Sequence, residues 1–147
     1  TLATPAAAAL ASDIAIHGHL CTGSAAVEST LAGIPTLLID REGMPNSKLQ
    51  ELPHGKVIFS DWEETIEALR DYFNSTNKIE GFGDWSSIKN DLDPFNDGLG
   101  SNRMGMYLHT IIKGFEQGLD RDDAMSYASD IYCKKWGKDK IVVNLNK

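Results

Sequence analysis

The sequence predicts an α/β fold: three layers around a short parallel sheet of three to four strands, with helices toward the C-terminus. Three observations carry this expectation. From Thr1 to about Thr76, short β-branched and aliphatic runs alternate with helical stretches, the pattern of βαβ units. The run Thr36-Leu37-Leu38-Ile39 is apolar at every position, and a strand of that kind must be covered on both faces. Beyond residue 100 the apolar residues return with helical spacing.

The elements follow in order. Thr4 before Pro5 has the form of an N-cap with proline at the first helical position, which predicts a short helix over Pro5–Ala11. Asp13-Ile-Ala-Ile-His17 reads as a strand ending in a glycine-bearing turn. Ser24–Ala32 reads as a helix stopped by Gly33 and Pro35, and Pro35–Asp40 as the most apolar strand. Lys56–Ser60 supplies a third strand. Asp61 with Glu64 makes a capping-box variant, and Trp62, Ile66, Leu69 and Phe73 form a helical stripe expected to dock on the sheet.

Between Asn74 and Gly100 the residues are mostly Asn, Asp, Gly, Ser and Pro. Phe82, Trp85, Ile88, Leu92 and Phe95 stand there as isolated apolar anchors of a long connection. Helices are expected over Asn102–Leu119 (Met104, Tyr107, Leu108, Ile111 and Phe115 inward) and over Asp122–Trp136 (Met125, Ala128, Ile131 and Tyr132 inward), with Asp120 as the cap between them. Ile141-Val-Val-Asn-Leu145 reads as a strand or a tether. The organisation is therefore βα units over 1–76, an irregular connection over 77–101, and helices packing on the same domain over 102–147.

Composition narrows the function. The 147 residues are 41% hydrophobic and 24% charged, enough for a packed core in about one domain. Fourteen basic against twenty-one acidic residues leave a net charge of -7, which argues against binding duplex nucleic acid. No apolar run approaches the roughly 18 residues of a membrane span. Two cysteines, Cys21 and Cys133, suit a reducing cytoplasm. A chain that begins at Thr1, without a basic start or an apolar leader, is expected to be part of something longer.

The chemistry concentrates between His17 and Asp40. A strand ends, a turn carries Thr22, Gly23 and Ser24, and a helix begins. Free amides at a helix N-terminus form an anion site, and Gly23 allows a phosphate to approach the backbone closely. The Thr22 and Ser24 hydroxyls can donate to its oxygens. Glu28 lies one turn further on the same side as Ser24, where a carboxylate could hold a ribose diol. Ligands of open α/β sheets collect beyond the strand ends, which brings in His17 and His19 as phosphate contacts. The residues alone leave open whether Ser24 is only an N-cap and Glu28 only a solvated helix residue.

This stretch resembles the donor-binding segment of GT-B glycosyltransferases. The features that carry the likeness are the Gly23-Ser24 turn, the small-residue helix, Val27-Glu28-Ser29, and Leu31-Ala-Gly-Ile-Pro35 leading to an apolar strand. The nearest likeness is to transferases of bacterial surface and capsular polysaccharide biosynthesis, and the UDP-GlcNAc 2-epimerases share the layout. The resemblance spans about Ala8 to Phe73. It implies the C-terminal, Rossmann-like domain of such an enzyme, in truncated form. Gly23 and Ser24 would hold the donor phosphates, Glu28 the ribose, and Asp40 and Asn46 would lie near the sugar or nucleotide edge. Asp40-Arg-Glu-Gly-Met-Pro-Asn46 departs from the Asp-Gln pair often found there. Asp93-Pro-Phe-Asn-Asp-Gly98 followed by Arg103 is similar to a tail pattern in the same proteins.

What the resemblance implies is a nucleotide-sugar as substrate, no obligatory metal or other cofactor, and a glycan acceptor bound by a second domain outside this sequence. The piece itself is expected to bind without turning over, in the cytoplasm or at the inner face of the membrane. Two alternatives remain. One is a non-catalytic assembly or regulatory module whose exposed sheet edge admits a homodimer. The other is a nucleotide-sugar epimerase, for which Glu42 is the one nearby acid–base candidate.

Other constellations are weaker. His17, His19 and Cys21 alternate at spacing two, but three ligands without a second cluster make a poor zinc set, and Cys21 reads as a small buried thiol. Gly81-Phe-Gly83 is a turn rather than a dinucleotide fingerprint. Asp93–Gly98 fails as a calcium loop, with Phe95 at its third position and Met104 at its twelfth.

Overall fold

The structure, a computed structural model, describes residues 4–20, 24–76 and 79–138. The described chain divides into two compact units, one ending at Asp93 and one beginning at Pro94.

The first unit is α/β. Helix α1 (Pro5–Leu10) starts as its sequence dictates, with Thr4 Oγ1 accepting from the Ala7 amide at 3.2 Å and Pro5 in the first turn. Strand β1 (Ala15–His17) leads toward α2 (Ser24–Leu31), which Gly33 terminates at φ 85°. Strand β2 (Thr36–Ile39) is buried at all four positions. A 3-10 turn (Lys48–Glu51) and β3 (Ile58–Phe59) follow, then α3 (Trp62–Asn74) and α4 (Ser86–Leu92).

The three strands form one open parallel sheet in the order β1-β2-β3, with His17 opposite Leu38 and Ile39 opposite Phe59. Side chains alternate across such a sheet, so its two faces build two cores. Leu38 and Ile58 turn to one face and join Leu20, Ala26, Leu52, Val57, Trp85 and Ile88. Leu37 and Phe59 turn to the other and join Phe82, with Ile16, Leu69 and Tyr72 packed beside them. Helices α2 and α4 therefore cover one face and α3 the other, which makes the architecture three-layered. This arrangement is compatible with a Rossmann-like domain.

Two expectations about this unit change. A capping-box variant forms: Asp61 Oδ1 accepts from the Glu64 amide at 2.9 Å, and Glu64 Oε2 accepts at 2.8 Å from the amide of Ser60, one residue before the cap. The helix behind it, however, is rotated from the expected stripe. Thr65, Ala68, Leu69 and Tyr72 face the sheet, whereas Trp62, Ile66 and Phe73 are 49%, 43% and 64% exposed. Thr65 can take the buried position because its hydroxyl donates to the Asp61 carbonyl at 2.6 Å.

The stretch read as an irregular connection contains α4 and also completes the sheet. Strand β3 is two residues long and leaves the start of β2 unpaired on that side. Gly83 fills the gap: its carbonyl accepts from the Thr36 amide at 3.0 Å, and its amide donates to the Lys56 carbonyl at 2.9 Å. The buried Trp85 indole then donates to the Thr36 carbonyl at 2.8 Å. Only glycine fits at position 83, since φ is 68° and a Cβ would stand 2.8 Å from the Thr36 nitrogen.

The second unit is a helical hairpin of α5 (Gly100–Glu116) and α6 (Arg121–Trp136), the latter capped by Asp120, whose Oδ1 accepts from the Asp123 amide at 2.9 Å. Gly114 lets the helices approach, because a Cβ there would lie 2.9 Å from that of Ala124. Tyr107 and Tyr132 meet edge to face at 6.1 Å. Here too the buried side of α5 differs from the expectation: Arg103, Thr110 and Gly114 are buried, and Met104, Leu108 and Phe115 are exposed. On α6, Ala124 and Ala128 are buried and Met125 is exposed. Arg103 is held by both carboxylate oxygens of Asp97, and its guanidinium lies 3.6 Å over the Phe95 ring. Cys133 is half-buried and carries no disulfide. The expected segment Ile141–Leu145 lies outside the described residues.

Candidate functional site

Register brings the site together. His17 sits opposite Leu38, so both side chains emerge on the face covered by α2, at the carboxyl ends of their strands. A cavity of about 430 Å³ opens there. Its interior is aliphatic, from Ala26 and Val27 on α2, Leu38 on β2, Leu49 on the 3-10 turn and Leu92 on α4; its polar groups are His17, His19, Ser24 and Lys48.

Of the residues singled out in the sequence, this geometry gathers three: His17, His19 and Ser24. Thr22, Gly23 and Cys21 lie outside the described residues. Glu28 is exposed and does not border the cavity. The reason is phase together with height along the helix. Glu28, like Ser24, points away from the buried Ala26, Ser29 and Thr30, but it stands about 6 Å further along α2, whereas Ser24 opens the helix at the cavity.

Asp40 and Asn46 also stand apart from the cavity lining. The Asp40 carboxylate organises the loop after β2: Oδ1 accepts from the Gly43 amide at 2.9 Å and Oδ2 from Gln50 Nε2 at 2.7 Å. Asn46 is exposed, and Ser47 rather than Asn46 caps the following turn, accepting from the Leu49 amide at 3.3 Å. Glu42 pairs with His19, Oε1 to Nδ1 at 3.0 Å. Among the described residues no group of three or more His, Cys, Asp or Glu side chains is placed to hold a metal ion.

The electrostatics of the lining are uneven. His17 is half-buried, and burial pushes its pKa below the usual value of 6.5, which favours the neutral imidazole. Its Nε2 is buried without a hydrogen-bond partner among the described residues. Lys48 is exposed and held upward in pKa by its hydrogen bonds to Glu51 and Asp91. Its Nζ lies 2.8 Å from Glu51 Oε2 and 3.1 Å from Asp91 Oδ2.

No protein family, curated protein or solved structure matches the chain. Nor is any helix among the described residues long and apolar enough to cross a membrane. The site therefore has to be read from its own chemistry.

That chemistry is an aliphatic hollow with one ammonium, a hydroxyl and two imidazoles around it, beside the first turn of a helix. Such a set can take a ligand with an anionic end and a less polar body. Sequence reasoning missed Lys48, Leu49 and Leu92. The helix carrying Leu92 did have a signal, since Trp85, Ile88 and Leu92 recur at helical spacing within the polar stretch.

Proposed function

We propose that the first unit binds a nucleotide-sugar as the donor-binding portion of a GT-B-like glycosyltransferase of surface-polysaccharide biosynthesis. One observation carries the reading: the cavity beyond the ends of β1 and β2 is bordered by Ser24, at the start of α2, and by His17, His19 and Lys48. Ligands of open parallel sheets bind in that position, and helix amides there stabilise negative charge. In a transferase, the same fixed dipoles would stabilise the departing nucleotide phosphate, without a metal.

The reading is narrower than the resemblance implies. The phosphates fall to Ser24, Lys48 and the histidines, while Glu28 and Asp40 have no place in the lining. The acceptor would be a glycan, and the setting the cytoplasm or the inner face of the membrane.

Calorimetric titration with UDP, GDP and CMP tests the proposal. Binding of at least one, weakened severalfold by Ser24→Ala in a protein that melts like the parent, supports it. Failure of all three at millimolar concentration, or indifference to Ser24→Ala, overturns it.

A further inference from the structure

The wall of the cavity opposite α2 comes from two elements, the 3-10 turn with Lys48 and Leu49, and α4 with Leu92. Asp91, next to Leu92, reaches across to Lys48, so one ion pair staples the two elements at the cavity margin. Among the described lining residues Lys48 carries the one permanent positive charge. It works in acidic surroundings: Glu51 and Asp91 pair with it, Glu42 pairs with the neighbouring His19, and the whole chain carries -7.

An ammonium has three donors. Two are directed at carboxylates, Glu51 within the same turn and Asp91 across on α4, and with two negative charges facing one positive charge the cluster accepts a further anion only when a carboxylate gives way. A phosphate is a dianionic, multi-oxygen acceptor and competes well against a single solvent-exposed carboxylate.

We propose that Lys48 is the anion anchor of this cavity, and that its contact with Asp91 is the one an entering phosphate displaces. Binding and the staple between the 3-10 turn and α4 are then mutually exclusive, so Asp91 opposes binding from outside the cavity lining. The inference deepens the donor-site reading and rests on it for the identity of the ligand. The anchor itself requires only a phosphate.

The experiment is a titration of the full chain with inorganic pyrophosphate and, separately, with UDP. It compares the parent with Lys48→Met, Lys48→Arg and Asp91→Asn, each shown by circular dichroism to be folded. Lys48→Met should weaken both ligands about tenfold, the worth of one charge-assisted hydrogen bond, and Lys48→Arg should recover most of the loss. Asp91→Asn should tighten both about threefold by removing the competitor.

The two proposals fail separately. If UDP binds the parent and Lys48→Met binds it equally, the anchor is wrong and the donor site stands. If pyrophosphate binds in a Lys48-dependent way but UDP, GDP and CMP bind no better, the anchor stands and the nucleotide reading falls. Unchanged or weakened binding in Asp91→Asn overturns the competition. Loss of Lys48→Met folding shifts the decision to Lys48→Gln, where an affinity for pyrophosphate and UDP equal to the parent's overturns the anchor.

Discussion

Replacing Gly83 with alanine should be among the most damaging single-methyl changes in this protein. The residue bridges Lys56 and Thr36 through its own amide and carbonyl, and stands in for the strand that β3 is too short to provide. Alanine there meets two penalties. A left-handed backbone, here at φ 68°, costs a residue with a Cβ about 1–2 kcal/mol. The new Cβ would also lie 2.8 Å from Pro35 Cβ and from the Thr36 nitrogen, and 2.9 Å from the Pro35 carbonyl carbon. Relief requires backbone to move in the most buried strand, an overpacking cost of about 1–3 kcal/mol.

The sum is about 2–5 kcal/mol, a large share of the roughly 5–15 kcal/mol that stabilises a typical domain. Gly33→Ala is the internal control. It sits at φ 85° with nothing within 4 Å of its Cβ position, so it incurs only the conformational part. The assay is urea unfolding followed by fluorescence, in a background with Trp62 and Trp136 replaced by phenylalanine so that buried Trp85 reports on the sheet. If Gly83→Ala is no more destabilising than Gly33→Ala, the close backbone approach is not what fixes glycine at this position.

Three further outcomes are expected. Asp97→Ala should destabilise the second unit by about 3 kcal/mol in thermal melts, because it leaves Arg103, a residue only 6% exposed, without its carboxylate; a loss under about 1 kcal/mol would refute this. Lowering the pH should cost stability through His17. Its folded pKa lies below 6.5, so the unfolded chain binds more protons, and the contribution is full above 6.5 and lost as the pH falls below it. The difference in unfolding midpoint between the parent and His17→Gln should accordingly change between pH 7.5 and 5.5, and a constant difference would disprove the link. Phe73→Ser should cost no more than about 1 kcal/mol, since the ring is 64% exposed and meets Tyr72 edge to face at 5.4 Å without reaching the sheet core; a loss above about 2 kcal/mol would restore the docked stripe.

Local rules were legible along the chain. Thr4 with Pro5, Gly33 after α2, and Asp61 with Glu64 each act where their residue types place them, because a cap is decided by neighbours within a turn. The run Thr36–Ile39 announced a strand covered twice, and it is. Helix phase was less legible. In α3 and α5 the apolar residues occupy more of the circumference than one neighbour can cover. The structure buries Thr65 and Thr110, whose hydroxyls donate to carbonyls one turn back, and leaves Trp62 and Met104 outside.

The candidate site divides along the same line. His17, His19 and Ser24 follow from a strand end and a helix start adjacent in sequence, so their meeting needed only local geometry. Glu28 was placed by its spacing from Ser24, but spacing cannot say which side of α2 faces the sheet. The small residues Ala26, Ser29 and Thr30 settle that, by fitting against their neighbours where a glutamate would not.

By itself, then, the sequence determined the class of fold, the caps and the strand that must be buried, since each depends on residues a few positions apart. Tertiary structure alone decided that Gly83 and Trp85 complete the sheet, that α4 walls the cavity, and that Lys48 stands at its margin held by Asp91. Those pairings join positions from 27 to 49 residues apart, and such contacts depend on how layers pack, which no local pattern encodes.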